Sequence, residues 1–254
     1  MAIIKTSAIV LRYANYRDYD RILTLFSGEY GKMTAAAHAC RRPKSPLLPC
    51  SQLFCFGEYI LKQKGERLSV MQCDVTDSFF DLGTNIEKFA DASFILNICE
   101  ELSTQGEGSP ALFPLLVRAL SALCYSPKDP VAVMAHFLLN ALDATGYRPS
   151  LDRCAVCGRE GRQAFFSTQY GGSVCEKCRG TDAVRLNANV LDTMETMLSA
   201  EIGELKDIDP AGLHPIIALI HPYLEYRLER RFKSGEFMRL IGSAKGKAAS
   251  PKNL

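Results

Sequence analysis

Four cysteines carry the plainest chemistry in this 254-residue sequence. They form two Cys-x-x-Cys pairs, Cys154/Cys157 and Cys175/Cys178, seventeen residues apart in DRCAVCGREGRQAFFSTQYGGSVCEKCRG (152–180). Each pair lies on a tight turn followed by Gly158 or by Arg179-Gly180, which lets two thiolates from each turn converge on one tetrahedral ion. That spacing is a zinc signature. With four sulfur ligands no position stays open for water, so the reading is one structural Zn²⁺. A thioredoxin-like redox pair would have to open a helix inside a βαβ unit, which this segment lacks. A Cys₄ zinc site carries a formal charge of about −2 and repels phosphate. Arg153, Arg159, Arg162, Lys177 and Arg179 are therefore read first as offsetting that charge, with DNA contact as their other possible use.

A second set of residues lies near the front of the chain. From Tyr30 to Gly57 there is no carboxylate, so Lys32, Arg41, Arg42 and Lys44 lack a local counter-charge. In a loop punctuated by Pro43, Pro46 and Pro49 such groups cannot be buried cheaply; they should face solvent and attract anions, with nucleic-acid phosphate the leading candidate. A solvated loop that only keeps the protein soluble is the competing reading. The asymmetry extends further: residues 1–80 hold eleven Lys/Arg against seven Asp/Glu, and the remainder nineteen against twenty-one.

Other chemistry is missing from the sequence. There is no Gly-x-x-x-x-Gly-Lys-Ser/Thr loop, His-Glu-x-x-His or Gly-x-Ser-x-Gly, the four histidines are scattered, and Asp18 with Asp20 is too little for a nuclease site. This favours a binding protein over an enzyme. The N-terminus does not read as a signal peptide, and no apolar run could span a bilayer, so the expected location is cytoplasmic. In a reducing compartment Cys40, Cys50, Cys55, Cys73, Cys99 and Cys124, each alone among apolar or small residues, are read as core fillers.

The elements that must position these groups fall into two classes. From Ile3 to Thr76, β-branched and aromatic residues come in short runs broken by turn signals, predicting strands over Thr6–Tyr13, Asp20–Phe26, Lys32–Ala39, Gln52–Gln63 and Arg67–Thr76. Both faces of the fourth are apolar (Phe54, Phe56 and Ile60 on one, Leu53, Cys55, Tyr59 and Leu61 on the other), as in a curled sheet. Five strands with a long third connection fit a five-stranded OB barrel, with an SH3-like barrel as the alternative. From about Asp81 the spacing becomes helical: Ile86–Leu102, Leu112–Cys124, Pro130–Ala144, Leu186–Glu204 and Leu213–Arg231. Glu225, Arg227, Glu229, Arg230 and Arg231 are read as a solvated charged face, and His214 and His221 as caps or surface residues. The fold expected is α+β: an OB barrel over 1–80, then a helical domain over 81–254 carrying the ribbon at about 152–180 and a disordered basic tail from about 243.

Several segments together resemble the RecO family of recombination mediators. They are Tyr16-Arg17-Asp18-Tyr19-Asp20-Arg21, the following LTLFSGEYGK, the loop Ala39-Cys40-Arg41-Arg42-Pro43-Lys44-Ser45, the Cys₄ ribbon, and Leu228-Glu229-Arg230-Arg231-Phe232-Lys233-Ser234 with Phe237. The chain departs from the family pattern at Cys40, where a small residue is usual, and at His38, where Arg is frequent, removing one positive charge. The resemblance implies an OB-fold domain followed by a helical domain interrupted by a zinc ribbon. It also implies binding of single- and double-stranded DNA, annealing of complementary strands, and, with RecR, help to RecA in replacing single-stranded DNA-binding protein, whose acidic C-terminal tail is a further expected partner. The residues expected to hold DNA are Lys32, Arg41, Arg42 and Lys44, with Arg12, Arg17 and Arg21 as contributors. A zinc-containing interaction adaptor with incidental DNA contact is the alternative, and a zinc-ribbon metabolic enzyme a third reading disfavoured by the missing catalytic set.

Overall fold

The structure, a computed structural model, describes residues 2–205 and 210–229. Arg230 and Arg231 of the last expected helix, the Phe232–Ser234 and Phe237 part of the motif, and the tail expected from about 243 lie outside the described residues. The chain divides into two compact units, Met1–Cys124 and Tyr125 onward.

In the first unit, β1 (Ala2–Tyr16), β2 (Asp20–Ser27), β3 (Gly31–Ala37), β4 (Phe56–Lys64) and β5 (Arg67–Asp77) close a barrel in the order β1-β2-β3-β5-β4. Closure needs one strand with two partners. The fifteen-residue β1 supplies it, pairing with β4 through Ala2–Ile9 and with β2 through Ala8–Tyr16, and bending at a bulge between Val10 and Arg12. The other seam is a short parallel contact of β3 with β5, Ala35 opposite Leu68 and Ala36 opposite Ser69. Period-two alternation sends Leu23, Leu25, Met33, Ala35, Tyr59 and Leu61 inward, where they are buried. This is the five-stranded OB arrangement expected from the sequence.

The fourth strand begins later than its alternation suggests. Pro49–Ser51 forms a 3-10 turn, and Phe54 has φ +68, so Gln52–Cys55 is a bend rather than strand. The segment still docks at the β1 bulge, Phe54 N–H donating to the Val10 carbonyl (3.2 Å) and Val10 N–H to that of Cys55 (3.0 Å). Three helices complete the unit: α1 (Phe80–Thr84), α2 (Ile86–Leu102) and α3 (Leu112–Tyr125). Asn85 caps α2, its side-chain oxygen accepting from Glu87 and Lys88 N–H. Phe113 of α3 meets Phe26 and Phe56 edge-to-face at 5.8 and 6.1 Å, and Phe89 of α2 meets Phe54 at 5.6 Å. The second apolar face of the fourth strand is thus helix-covered.

In the second unit, α4 (Pro130–Ala144) starts at an Asp129 cap with Pro130 in the first turn. The ribbon follows as β6 (Phe165–Ser167), β7 (Gly172–Val174) and β8 (Val184–Arg185), in the order β7-β6-β8. Then come α5 (Ala188–Ser199) and α6 (Pro210–Leu228). Three polar side chains satisfy carbonyls at and beyond the end of α5: Asn140 donates to Met197 O (2.9 Å), His136 Nε2 lies 2.9 Å from Ala200 O, and Lys128 Nζ donates to Leu205 O (2.6 Å). Two expectations fail here. His221 is buried, not a cap or surface group, 3.9 Å from the Glu225 carboxylate, and burial holds its imidazole pKa below the ordinary value. Arg227 leaves the solvated face and lies over Tyr223, 5.1 Å from its ring, because stacking on an aromatic suits a guanidinium better than a bare helix surface.

Of the six lone cysteines, Cys40, Cys50, Cys55, Cys99 and Cys124 are buried and Cys73 is half-buried. Burial pushes the Cys55 thiol up to about 12 and the Tyr59 phenol well above its usual range. These groups stay protonated and serve as packing.

Gly31 tests the joint between barrel and helices. Its φ is +63, and a Cβ there would run into the Glu107 backbone. Gly31→Ala is expected to cost about 2 kcal/mol or more, read as a lowered denaturation midpoint of the full chain.

Candidate nucleic-acid interface and metal centre

The basic connection between β3 and β4 is a chain of tight turns. Arg42, Ser45, Leu48 and Gln52 N–H each donate to the carbonyl three residues back. Besides Phe54 at its exit, two positions take a left-handed conformation, Ala39 (φ +52) and Lys44 (φ +66). The entrance is held by Asp20, whose carboxylate accepts from Ala39 N–H (2.7 Å) and lies 3.0 Å from His38 Nδ1. Chiefly the Ala39 N–H, then His38, keeps the Asp20 pKa below the usual carboxylate value. The exit is held by Arg21, which donates to Ser51 O (2.8 Å) and the Gln52 amide oxygen (3.1 Å) while its guanidinium sits 3.9 Å from the Tyr13 ring centre. Tyr59 OH, donating to Cys50 O (2.7 Å), fixes the same end from inside the barrel.

The seven cations singled out in the sequence separate into two groups. Three are engaged by protein. Lys32 Nζ donates to the Glu100 carbonyl (2.7 Å), Arg12 pairs with the Glu100 carboxylate (3.1 Å), and Arg21 is the loop anchor just described. The other four, Arg17, Arg41, Arg42 and Lys44, are exposed, as is the paired Arg12. Among the described residues none of these four forms a carboxylate ion pair. Arg41 N–H donates to Tyr19 O (2.9 Å), and the Arg42 guanidinium lies 5.2 Å from the Tyr19 ring centre, so the basic loop and the β1–β2 turn make one surface. Arg17 at the tip of that turn stacks on Tyr16 at 5.2 Å.

Beside this surface runs a groove of about 660 Å³ across the β2–β3 face, from the β1–β2 turn to the β4–β5 turn. Tyr16, Arg17, His38, Lys64 and Arg67 line it, and Glu66 is the one carboxylate among its described lining residues. Strands 2–3 and the 1–2 and 4–5 loops are where OB barrels take oligonucleotides. Tyr16 and Tyr19, 46% and 47% exposed, offer ring faces for bases. Tyr16, Tyr19, Lys64 and Arg67 were not among the residues expected from the sequence. The available signal was the Lys64-Gly65-Glu66-Arg67 turn, which marks the 4–5 loop once the barrel order is fixed.

In the second unit the four sulfurs of Cys154, Cys157, Cys175 and Cys178 lie within 4.8 Å of one another, with Cys157 and Cys175 3.9 Å apart. A tetrahedral thiolate site with 2.3 Å bonds needs about 3.8 Å between sulfurs. The two knuckles are built by Gly158 N–H donating to Cys154 O and Cys178 N–H to Cys175 O, and Cys175 N–H points at the Cys154 sulfur (3.4 Å). Burial opposes ionisation of Cys154, yet N–H donors from Cys157, Cys175 and Val156 outweigh it and hold this thiol at about 6. Hydrogen bonds to Cys175 and Cys157 push Cys178 up to about 12. Without a cation the four cannot ionise together, and such a donor set fits a metal ion. Of the surrounding bases, Arg153 pairs with Asp152 (2.9 Å), Arg179 with Glu176 (3.0 Å), and Arg162 with Asp192 and Glu195.

Comparison with known proteins agrees with this architecture. Residues 1–79 match the family model described as Recombination protein O N terminal, and residues 83–236 that described as Recombination protein O C terminal. The chain is similar to proteins named DNA repair protein RecO from Pelotomaculum thermopropionicum (33% identical, 96% of each chain) and Symbiobacterium thermophilum (30%, 96% of this chain and all of the relative). A third, from Acetivibrio thermocellus, is 29% identical over 96% of this chain and its own whole length.

Two outcomes follow from this geometry. One metal ion per chain should be measured by elemental analysis of the purified protein, and Cys175→Ser should lose it. Since Asp20 titrates below its ordinary value, its hold on Ala39 is complete above about pH 4 and is lost as pH falls through the lower folded value. The Ala39 amide resonance should report that transition, and Asp20→Asn should abolish it.

Proposed function

The chain belongs to the RecO family of DNA repair proteins, and from that premise we propose that it is a recombination mediator that binds single- and double-stranded DNA and anneals complementary strands. The observation that carries the reading is the set of exposed cations without carboxylate partners, Arg17, Arg41, Arg42 and Lys44, beside exposed Tyr16 and Tyr19 on an OB barrel. Cations of this kind neutralise phosphates and release counterions, and aromatic rings stack bases regardless of sequence. With two backbones neutralised, repulsion between strands falls and base pairing drives annealing. No bond need be made or broken by this chain.

Lys64 and Arg67 extend the proposed footprint along the groove, while Arg12, Lys32 and Arg21 act mainly by holding the surface in shape. The metal proposed for the Cys₄ site is one structural Zn²⁺, since four sulfur donors within 4.8 Å of one another suit it and would leave no position for a reacting water. Its binding would contribute on the order of 10 kcal/mol to folding of the ribbon. Further along the pathway, we propose RecR and the acidic C-terminal tail of single-stranded DNA-binding protein as partners, with RecA loading as the outcome, at the nucleoid. No helix among the described residues is long and apolar enough to cross a membrane.

The test is annealing of complementary oligonucleotides coated with single-stranded DNA-binding protein, by the purified chain and without nucleotide. The wild type should anneal them. Arg41→Ala/Arg42→Ala should flatten the log–log dependence of duplex affinity on salt by about 2, one phosphate contact per residue. An unchanged slope removes the loop from the mechanism. Should the protein ignore DNA while capturing the acidic tail, the adaptor reading replaces this one.

A further inference from the structure

We propose that the ribbon-bearing unit carries a nucleic-acid groove of its own, in which Arg148, Arg153 and Arg227 hold phosphates and Tyr147 and Tyr170 stack bases. The groove encloses about 670 Å³ and is walled by the turn after α4, the first cysteine knuckle, the β6–β7 turn and α6. Among its described lining residues there is no carboxylate. Tyr147 and Tyr170 are 39% and 42% exposed, so ring face remains available.

Arg227 is the centre of this site. Its guanidinium carbon lies 5.1 Å from the Tyr223 ring and 5.8 Å from those of Tyr147 and Tyr226, and among the described residues it forms no ion pair. Its Nε is buried without a hydrogen-bond partner. The cation is pinned by packing: Tyr223 OH donates to Tyr147 O (3.0 Å), and Gly171, at φ +67, makes the space in which the guanidinium lies. A Cβ at Gly171 would come within 2.6 Å of both Arg227 Nη2 and Tyr223 OH. A charge that is positioned but not compensated is a site awaiting an anion. Arg148 and Arg153 share their charge with Asp143 (2.6 Å) and Asp152 (2.9 Å), but these are exposed pairs of the kind that yield readily to a phosphodiester.

The ligand class follows from the alternation of guanidinium and ring. An acidic peptide would use the cations and leave the tyrosines idle. A single nucleic-acid strand presents phosphate and base in turn and engages both. The sulfur cluster, which would repel phosphate, is represented in the wall only by the buried Cys154. The proposal does not rest on the barrel groove, and the experiment separates the two.

An iodouridine-substituted single-stranded oligonucleotide is photo-cross-linked to the full chain, and the adducts are mapped by mass spectrometry. Adducts on Tyr147 or Tyr170, retained in Arg41→Ala/Arg42→Ala, are expected. Arg148→Ala/Arg153→Ala should lower the single-strand salt slope by about 1.4, two contacts at about 0.7 each. Wild-type adducts confined to residues 1–124 overturn the proposal whatever the variants do, so a variant that fails to fold does not blunt the test. It is equally overturned if an aspartate-rich peptide binds in an Arg148- and Arg153-dependent way while oligonucleotide binding is untouched.

Discussion

A positively charged loop can be fixed to a barrel without losing its charge only if its anchors are neutral. Arg21 is the pivotal contact in this respect. Its guanidinium donates to the Ser51 carbonyl and the Gln52 and Asn15 amides and stacks on Tyr13, all uncharged partners. The Tyr59 hydroxyl, on the Cys50 carbonyl, works the same way from the interior. A carboxylate in either role would have tied the loop down equally well and cancelled a neighbouring cation. Asp20 is the exception, and it spends its two oxygens on the Ala39 N–H and His38 rather than on Arg41 or Arg42. The surface therefore combines fixed backbone with unspent charge, the condition for holding a polyanion tightly at low salt and releasing it as salt rises.

The ribbon follows the opposite rule. Arg153, Arg162 and Arg179 each face a carboxylate, so these three guanidiniums beside the sulfur cluster stand in ion pairs. Arg227 is the one described guanidinium beside the ribbon that stacks on three rings without an acid. Guanidinium is the shared chemistry of the loop anchor, the ribbon's charge pairs and the proposed groove; at Arg21, Arg162 and Arg227 its partners among the described residues are in turn neutral acceptors, carboxylates and aromatic rings alone.

How much of this could be read from the sequence depends on distance along the chain. The Cys₄ centre was legible because its geometry is local: each Cys-x-x-Cys turn presets two sulfurs, and only one long-range closure remained. The barrel was legible through period-two alternation, and the helices through Asn85 and Asp129 caps at the start of apolar stripes. Failures came from alternation that continued through a bend, since Leu53–Cys55 keeps the strand pattern while Phe54 turns left-handed. Others came from partners far away in sequence. Glu100, on a helix, pairs its carboxylate with Arg12 and accepts a hydrogen bond from Lys32 on its backbone carbonyl, and no reading of Tyr30 to Gly57 could have found it. Lys64, Arg67 and Tyr16 share a groove only because β3 meets β5 in parallel at Ala35 and Ala36.

A surface that holds strands for pairing must also let them go. Base–aromatic stacking is worth about 1–3 kcal/mol per base, while a duplex gains about 1.4 kcal/mol per base-pair step. A long aromatic track would compete with base pairing at every step and trap the single strand. The barrel exposes a few tyrosines, each with an arginine beside or over it, so in the proposed role most grip would fall on phosphates, which a duplex presents as well as a single strand does. Affinity of that kind barely changes when two strands join, leaving the free energy of pairing to favour the joined state. The balance of few rings and many unpaired cations is thus the physical condition under which one surface can both collect strands and yield their duplex.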